Sequence, residues 1–255
     1  MLSILHLAPQ FQISTSYWLL AFLAAFLIGI SKAGLKGINI INVTIIALVF
    51  ETKASTGIML VLLSFADILA VIYYNRHADW KYIKILLPWM LLGILAGSFI
   101  GKDLLPATFK QGMAVIIIFS VIMMLWWERK KEKNVPTHWW FGSLMGMAAG
   151  ITTMLGNLAG AFTNIYFLAM RLPKAAFIGT AAWLFFITNL SKIPLHIFYW
   201  KTINVDSLAV NLRLFPIILL GFFVGVKVVS RIKNQDYRKM ILVLTAIGAI
   251  LIFFK

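Results

Sequence analysis

Ser31-Lys32-Ala33-Gly34-Leu35-Lys36-Gly37 cuts an otherwise apolar stretch, residues 17–50, into two arms of about 14 and 13 residues. At 1.5 Å per residue a helical arm of that size reaches roughly 20 Å, short of the ~30 Å hydrocarbon core of a bilayer. A second stretch, 139–170, is cut in the same manner at Met154-Leu155-Gly156-Asn157. Two readings stand: re-entrant hairpins whose tips end inside the membrane, or short tilted spans at a thinned site. Broken backbone at membrane depth exposes N–H and C=O groups that lipid cannot satisfy. It is tolerated only where it lines a cavity or is buried in protein.

The two cuts belong to a longer repeat. Gly34, Asn42 and Asp67 recur 122 residues later as Gly156, Asn164 and Asn189. Pro88-x4-Gly93-x3-Gly97 recurs 128 residues later as Pro216-x4-Gly221-x3-Gly225, and Phe109-Lys110 keeps that offset as Tyr237-Arg238. Long apolar helices are expected at about 54–74, 83–100 and 108–127, then at 174–199, 208–226 and 240–254. The expected fold is therefore all-α, a polytopic transmembrane bundle of two repeats, 1–135 and 136–255. Each is a broken short-helix hairpin plus three long helices. In either reading of the arms each half crosses an odd number of times, so the second half is inverted. Duplicated halves in a membrane protein are the build of a secondary transporter, with its substrate site between the halves.

Composition narrows the alternatives. Hydrophobic residues make up 62% of the 255 and charged residues 12%, about half the charge of a soluble domain. Apolar runs recur along the whole length and leave no room for a soluble catalytic domain. Residues 1–16 do not show the ordered features of a cleaved signal peptide. No cysteine is present, which excludes disulfides and thiolate metal sites. Neither HExxH, GxSxG nor a phosphate-binding glycine loop occurs, so neither an enzyme nor a bound cofactor is expected. Most acidic residues sit at loops, poor provision for a divalent cation, which wants several carboxylate oxygens. A cation importer or a non-transporting membrane partner is thus the weaker alternative.

The net charge of +15 lies in short loops between apolar spans, where basic residues set orientation and meet anionic lipid rather than nucleic acid. With the loop at 75–84 inside, the later loops alternate. Fourteen basic residues then fall inside and six outside. That bias places both termini outside a prokaryotic inner membrane. Trp18, Trp80, Trp126, Trp127, Trp139, Trp140 and Trp200 fall at span ends, as interfacial anchors should.

The candidate site gathers at the cuts. A helix that starts inside the membrane points free N–H groups and its positive dipole end at a cavity, which suits an anion. The first cut adds Lys32, Lys36, Asn39 and Asn42; the second offers Thr152, Thr153, Gly156, Asn157, Gly160 and Asn164. Lys32 and Lys36 have two readings, a cavity wall or a cytoplasmic turn. Asn157 and Asn164 likewise suit ligand contact or helix capping. Asp67 is a lone carboxylate inside an apolar helix, costly and suited to gating or proton coupling, or else to a packing hydrogen bond. Asn189, Lys192 and His196 share one helix face. Lys192 either faces the cavity or snorkels outward. A direct Asp67–Lys192 pair is disfavoured, since the two lie near opposite ends of their helices. His6, His77 and His138 sit near span ends, and Trp183 reads as lipid-facing or core.

These residues resemble the TauE/SafE-type sulfite exporters, within the TSUP group of anion permeases. The first half carries the likeness on Gly29-Ile-Ser-Lys-Ala-Gly34, Ala66-Asp67-Ile68 and the Pro88 motif. The second carries it on Gly156-Asn-Leu-Ala-Gly160, Leu172-Pro-Lys174, Phe177-Ile-Gly-Thr180 and Asn189-Leu-Ser-Lys192-Ile-Pro194. Lys32 and Lys36 replace part of the family's glycine-rich first break. The resemblance implies an inner-membrane permease that moves small sulfur-containing or organic anions, often outward, without a prosthetic group.

Overall fold

The computed structural model describes residues 13–50, 52–105, 107–109, 111–112, 115, 118–119, 122, 139–234, 236–237, 239–241 and 243, and every regular element among them is helical. The helices are α1 (Thr15–Lys32), α2 (Asn39–Val49), α3 (Thr52–Tyr74), α4 (Trp80–Lys102), α5 (Trp139–Gly156), α6 (Ala159–Ala169), α7 (Lys174–Pro194) and α8 (Val205–Ser230). A π-helical turn, Leu195–Tyr199, continues α7. The helices expected at 108–127 and 240–254 fall largely outside the described residues. So do His6, Trp126, Trp127, His138, the Lys110/Arg238 match and the basic loop at 129–133.

Both cuts end helices, with a correction to their arms. The arms are unequal, 18 and 11 residues, and they are so in both places. Each first arm runs on into polar residues that an apolar window drops. At 1.5 Å per residue α1 is about 27 Å long and α2 about 16 Å. Among the described residues five helices, α1, α3, α4, α7 and α8, are long and apolar enough to cross a membrane. The chain is an all-α polytopic helical bundle.

Local chemistry sets the ends. At the first cut Gly34 and Gly37 take φ values of 128° and 102°, a region that only glycine enters freely. At the second, Asn157 makes the turn alone at φ 57°, as Asn tolerates better than other residues with a side chain. Asn204 and Ser207 form a capping box at the start of α8, and Asp79 caps α4 by accepting from Lys81 N. Two lysines finish helices in the other direction. Lys53 donates to the Lys102 carbonyl ending α4, and Lys174 donates to Val229 and Ile232 at the end of α8, at 3.1 and 2.6 Å. A cation there meets free carbonyls and the negative end of the helix dipole.

Packing runs across the two helix series. α1 crosses α8, α5 crosses α4, and α3 lies against α7. The repeated glycines are these crossing points. A Cβ on Gly221 would overlap the backbone of Phe26, and one on Gly29 the backbone from Ile218 to Phe222. In the other series, a Cβ on Gly93 would overlap Met147 and Gly150, and one on Gly150 would overlap Met90 and Gly93. Without a hydrophobic drive between helices in lipid, such close backbone approach supplies the van der Waals contact that holds them. The Pro-x4-Gly-x3-Gly motif therefore builds helix contacts rather than a ligand site.

The tryptophans divide. Trp80, Trp139 and Trp140 are exposed, as interfacial anchors should be. Trp200 is not: it is buried, donates Nε1–H to Ser98 O at 3.0 Å and packs edge-on against Phe109. Its indole N–H found a carbonyl inside the bundle, which no position at a span end reveals.

Candidate functional site

The two cuts meet around one cavity. It is lined by Ser31, Lys32, Lys36, Gly37 and Asn39 from the first, by Thr153, Asn157, Ala159, Gly160 and Asn164 from the second, and by Leu63, Phe185 and Asn189 of the long helices. Three pairs of these lining residues, Ser31/Thr153, Gly37/Ala159 and Leu63/Phe185, stand 122 positions apart. That is the offset of the sequence repeat, and these partners could have been found by extending it. Leu63, Phe185 and Ala159 carry no polar signal, which is why attention to polar residues passes over them.

At the centre α3 and α7 join through Asp67 and Asn189, themselves 122 residues apart. Asn189 Nδ2 donates to Asp67 Oδ2 at 2.7 Å, and Lys32 Nζ pairs with Asp67 Oδ1 at 2.5 Å. Lys32 also lies 4.8 Å from the centre of the Phe185 ring, a favourable position over the negative ring face. It is buried in the protein, not solvated. Break-tip carbonyls are satisfied from behind: Tyr74 Oη donates to Ala33 O at 2.8 Å and Tyr237 Oη to Gly34 O at 2.6 Å.

Lys36 is placed differently. It too is buried and faces the cavity, 5.6 Å from the Phe185 ring centre. Among the described residues no oxygen accepts a hydrogen bond from its ammonium group.

Lys192 stands behind the wall, not in it. Its Nζ donates to Thr153 O and Thr153 Oγ1, both at 3.0 Å, and to Asn157 Oδ1 at 2.7 Å. An ammonium group has three protons, so all are engaged. The side chain is fully buried and does not snorkel. It closes the C-terminal end of α5 and holds Asn157, whose Nδ2 donates to Thr56 O at 3.1 Å and whose own carbonyl accepts from Asn39 Nδ2 at 2.9 Å. Asp67 and Lys192 make no ion pair, although Asp67 bonds Asn189 one turn from Lys192, so engagement with other partners and not depth keeps them apart. Asn189, Lys192 and His196 do share an inward face; His196 Nδ1 meets Thr202 Oγ1 at 2.7 Å.

Neither Asn42 nor Gly156 lines the cavity. Gly156 ends α5. Asn42 is fully buried one turn along α2 from Asn39, and among the described residues neither of its amide atoms has a partner. Asn39 Oδ1 and Asn164 Oδ1 are also buried without partners. An unmet buried polar group costs about 1–3 kcal/mol. Thr152 is spent on Ala148 O within its own helix. His77 is exposed, and Trp183 packs on Trp80 with ring centres 5.3 Å apart, away from the cavity.

Two features give the cavity its sign. α2 and α6 both begin beside it, and the residues at their N-cap positions, Ile38 and Leu158, have no side chain able to cap. Ile41 N and Ala161 N donate to the Ile38 and Leu158 carbonyls, but no side chain caps either start, and each helix brings the positive end of its dipole to the cavity through Asn39, Ala159 and Gly160. Three lysines and one aspartate are buried around it, an excess of cations that burial makes costly unless an anion joins them. The cavity measures about 40 Å³. At ~10–15 Å³ for each water that is room for about three, close to one oxyanion of four heavy atoms.

Over residues 20–252 the sequence matches the family described as Sulfite exporter TauE/SafE. The chain belongs to the sulfite exporter TauE/SafE family. Membership implies an integral membrane transporter of sulfite or a related anion. No curated protein and no solved structure matches the chain.

Proposed function

We propose that this TauE/SafE family member is a secondary permease for a small oxyanion, sulfite or a small sulfonate, which it exports across the inner membrane. The carrying observation is the cavity between the two breaks, where Lys36, without a hydrogen-bond acceptor among the described residues, meets two helix N-termini that no side chain caps. Lys36 and the first-turn amides of α2 and α6 bind the anion. Asn39, Asn164 and Asn189 orient it, while Lys192 and Asn157 hold the second break in shape. A cavity of about 40 Å³ suits an inorganic anion better than a long organosulfonate. A cation finds no free carboxylate there, because both oxygens of Asp67 are engaged.

The two series of helices act as inverted repeats, 1–135 and 136–255. Their order of lengths supports this, and so does the packing: α1 on α8 and α5 on α4 exchange when the halves are exchanged. One repeat rocks against the other to expose the cavity on alternate sides. Both termini face outside. An inside-negative potential supplies about 2.3 kcal/mol per charge per 100 mV for outward anion movement. Asp67 is the gating or proton-coupling residue: protonation would release Lys32, giving the anion a second ammonium.

Binding tests this first. A ligand that binds only the folded state raises its melting temperature. Sulfite should stabilise the purified protein in detergent, whereas chloride at equal ionic strength should not. The gain should vanish in Lys36→Ala and survive in part in Lys36→Arg. Equal stabilisation of wild type and Lys36→Ala by sulfite would place the anion elsewhere.

A further inference from the structure

Asn42 and Asn164 are repeat partners, 122 residues apart, yet the structure treats them unequally. Asn164 lines the cavity, one helical turn from Gly160, which lines it too. Asn42 lies three residues beyond Asn39, on the same face of α2, and is sealed off with both amide atoms unmatched. The other repeat pairs at the cavity, Ser31/Thr153, Gly37/Ala159 and Leu63/Phe185, line it from both halves together. Asp67, the partner of Asn189, is also absent from the lining but is engaged by Lys32 and Asn189; Asn42 is the polar repeat mark that is both off the wall and unmatched, withdrawn behind Asn39 along its own helix.

A buried amide without partners is disfavoured wherever an apolar residue would serve. Here nothing in the observed packing compensates it. We infer that Asn42 is the pathway contact of the opposite-facing state, so that Asn164 meets the anion when the cavity opens to one side and Asn42 when it opens to the other. If two structurally equivalent halves exchange roles between the two states, each residue takes over the surroundings of its partner. Asn39 leads and Asn42 follows three residues behind, so a shift of α2 along its axis by ~4.5 Å with a partial rotation about that axis carries Asn42 to the cavity. Asn164 meanwhile withdraws with α6. The break that precedes α2 is the looser of the two, with two glycines at positive φ against one Asn at the second, and so gives α2 the slack for that shift. This rests on the permease reading for the identity of the ligand, but not for the exposure of the two residues.

The chain has no cysteine, so single cysteines report without background. Asn42→Cys and Asn164→Cys, each in the full-length protein in oriented proteoliposomes, are treated with a membrane-impermeant charged methanethiosulfonate from one side or the other. Expected is labelling of the two positions from opposite sides. Labelling of both from the same side, or of Asn42→Cys from neither side, overturns the inference. Because Cys is smaller than Asn and carries no amide, Asn42→Cys removes the unmatched atoms without overpacking. Asn42→Leu provides a second readout: the half-saturating anion concentration should rise at least tenfold on one side only, the side opposite to that affected by Asn164→Leu. Equal effects of the two variants on the same side contradict it. Methanesulfonate, inert towards the reagent, separates this from the permease reading. Opposite-side labelling that the anion does not slow upholds the exchange of Asn42 and Asn164 while the anion assignment fails.

Discussion

Lys32 and Lys36 sit four residues apart and hold unlike positions. Lys32 is bound to Asp67, and Lys36 faces the cavity with no hydrogen-bond acceptor among the described residues. Removing one partner of a buried pair leaves the other charge stranded, at about 3–5 kcal/mol. Asp67→Asn should therefore lower stability by that order, read as a drop in melting temperature in detergent. Lys32→Met combined with Asp67→Asn should recover most of the loss. Should the double variant be no better than Asp67→Asn, the pair is not what holds α1 to α3. Lys36→Ala has no such partner to strand and should leave the melting temperature of the unliganded protein unchanged or higher. The sequence already marked Asp67, Asn189 and the three lysines, because polar groups stand out in apolar helices. It could not choose their partners, since pairing depends on how each helix is rotated about its axis. That is how Lys192, a candidate ligand by composition, comes to spend all three protons on Thr153 and Asn157.

At the scale of elements, punctuation was legible and extent was not. Gly34, Gly37 and Asn157 mark the breaks through their own backbone preferences, which operate whatever the tertiary context. The 18- and 11-residue arms were not legible, because helices continue through polar residues once neighbours satisfy them. The glycines of the Pro-x4-Gly-x3-Gly motif were visible as a repeat, but their work, the crossings of α8 with α1 and of α4 with α5, needs both helices to be seen. Gly150→Ala forces a Cβ into the backbone of Met90 and Gly93 and should reduce folded yield in the membrane several-fold. Gly160→Ala meets nothing nearer than the Asn164 amide at 4.0 Å and should fold normally. Comparing the size-exclusion profiles of the two variants checks this; equal yields would mean that the crossing has room to part.

For the whole molecule, the repeat and the loop charges speak to the same arrangement by separate physics, one through packing and one through insertion. Together they set α3 and α7 antiparallel about a centre where Asp67 meets Asn189. The proposed topology puts Asn75 inside and Lys201 outside. In this cysteine-free chain Asn75→Cys should react with an impermeant thiol reagent only from the cytoplasmic side, and Lys201→Cys only from the other. Labelling of both from one side would break the inverted arrangement. The ion that moves is the part that composition left open, because a cavity's size and sign are properties of assembled helices and not of any segment.

The most direct test is potential-driven efflux of sulfite from proteoliposomes of purified protein, comparing wild type with Lys36→Ala. Efflux that rises with an inside-negative potential in the wild type and falls at least tenfold in the variant is the expected result. Efflux that is equal in both, or absent from a wild type shown to be correctly folded and reconstituted, would contradict an anion permease with its site between the two breaks.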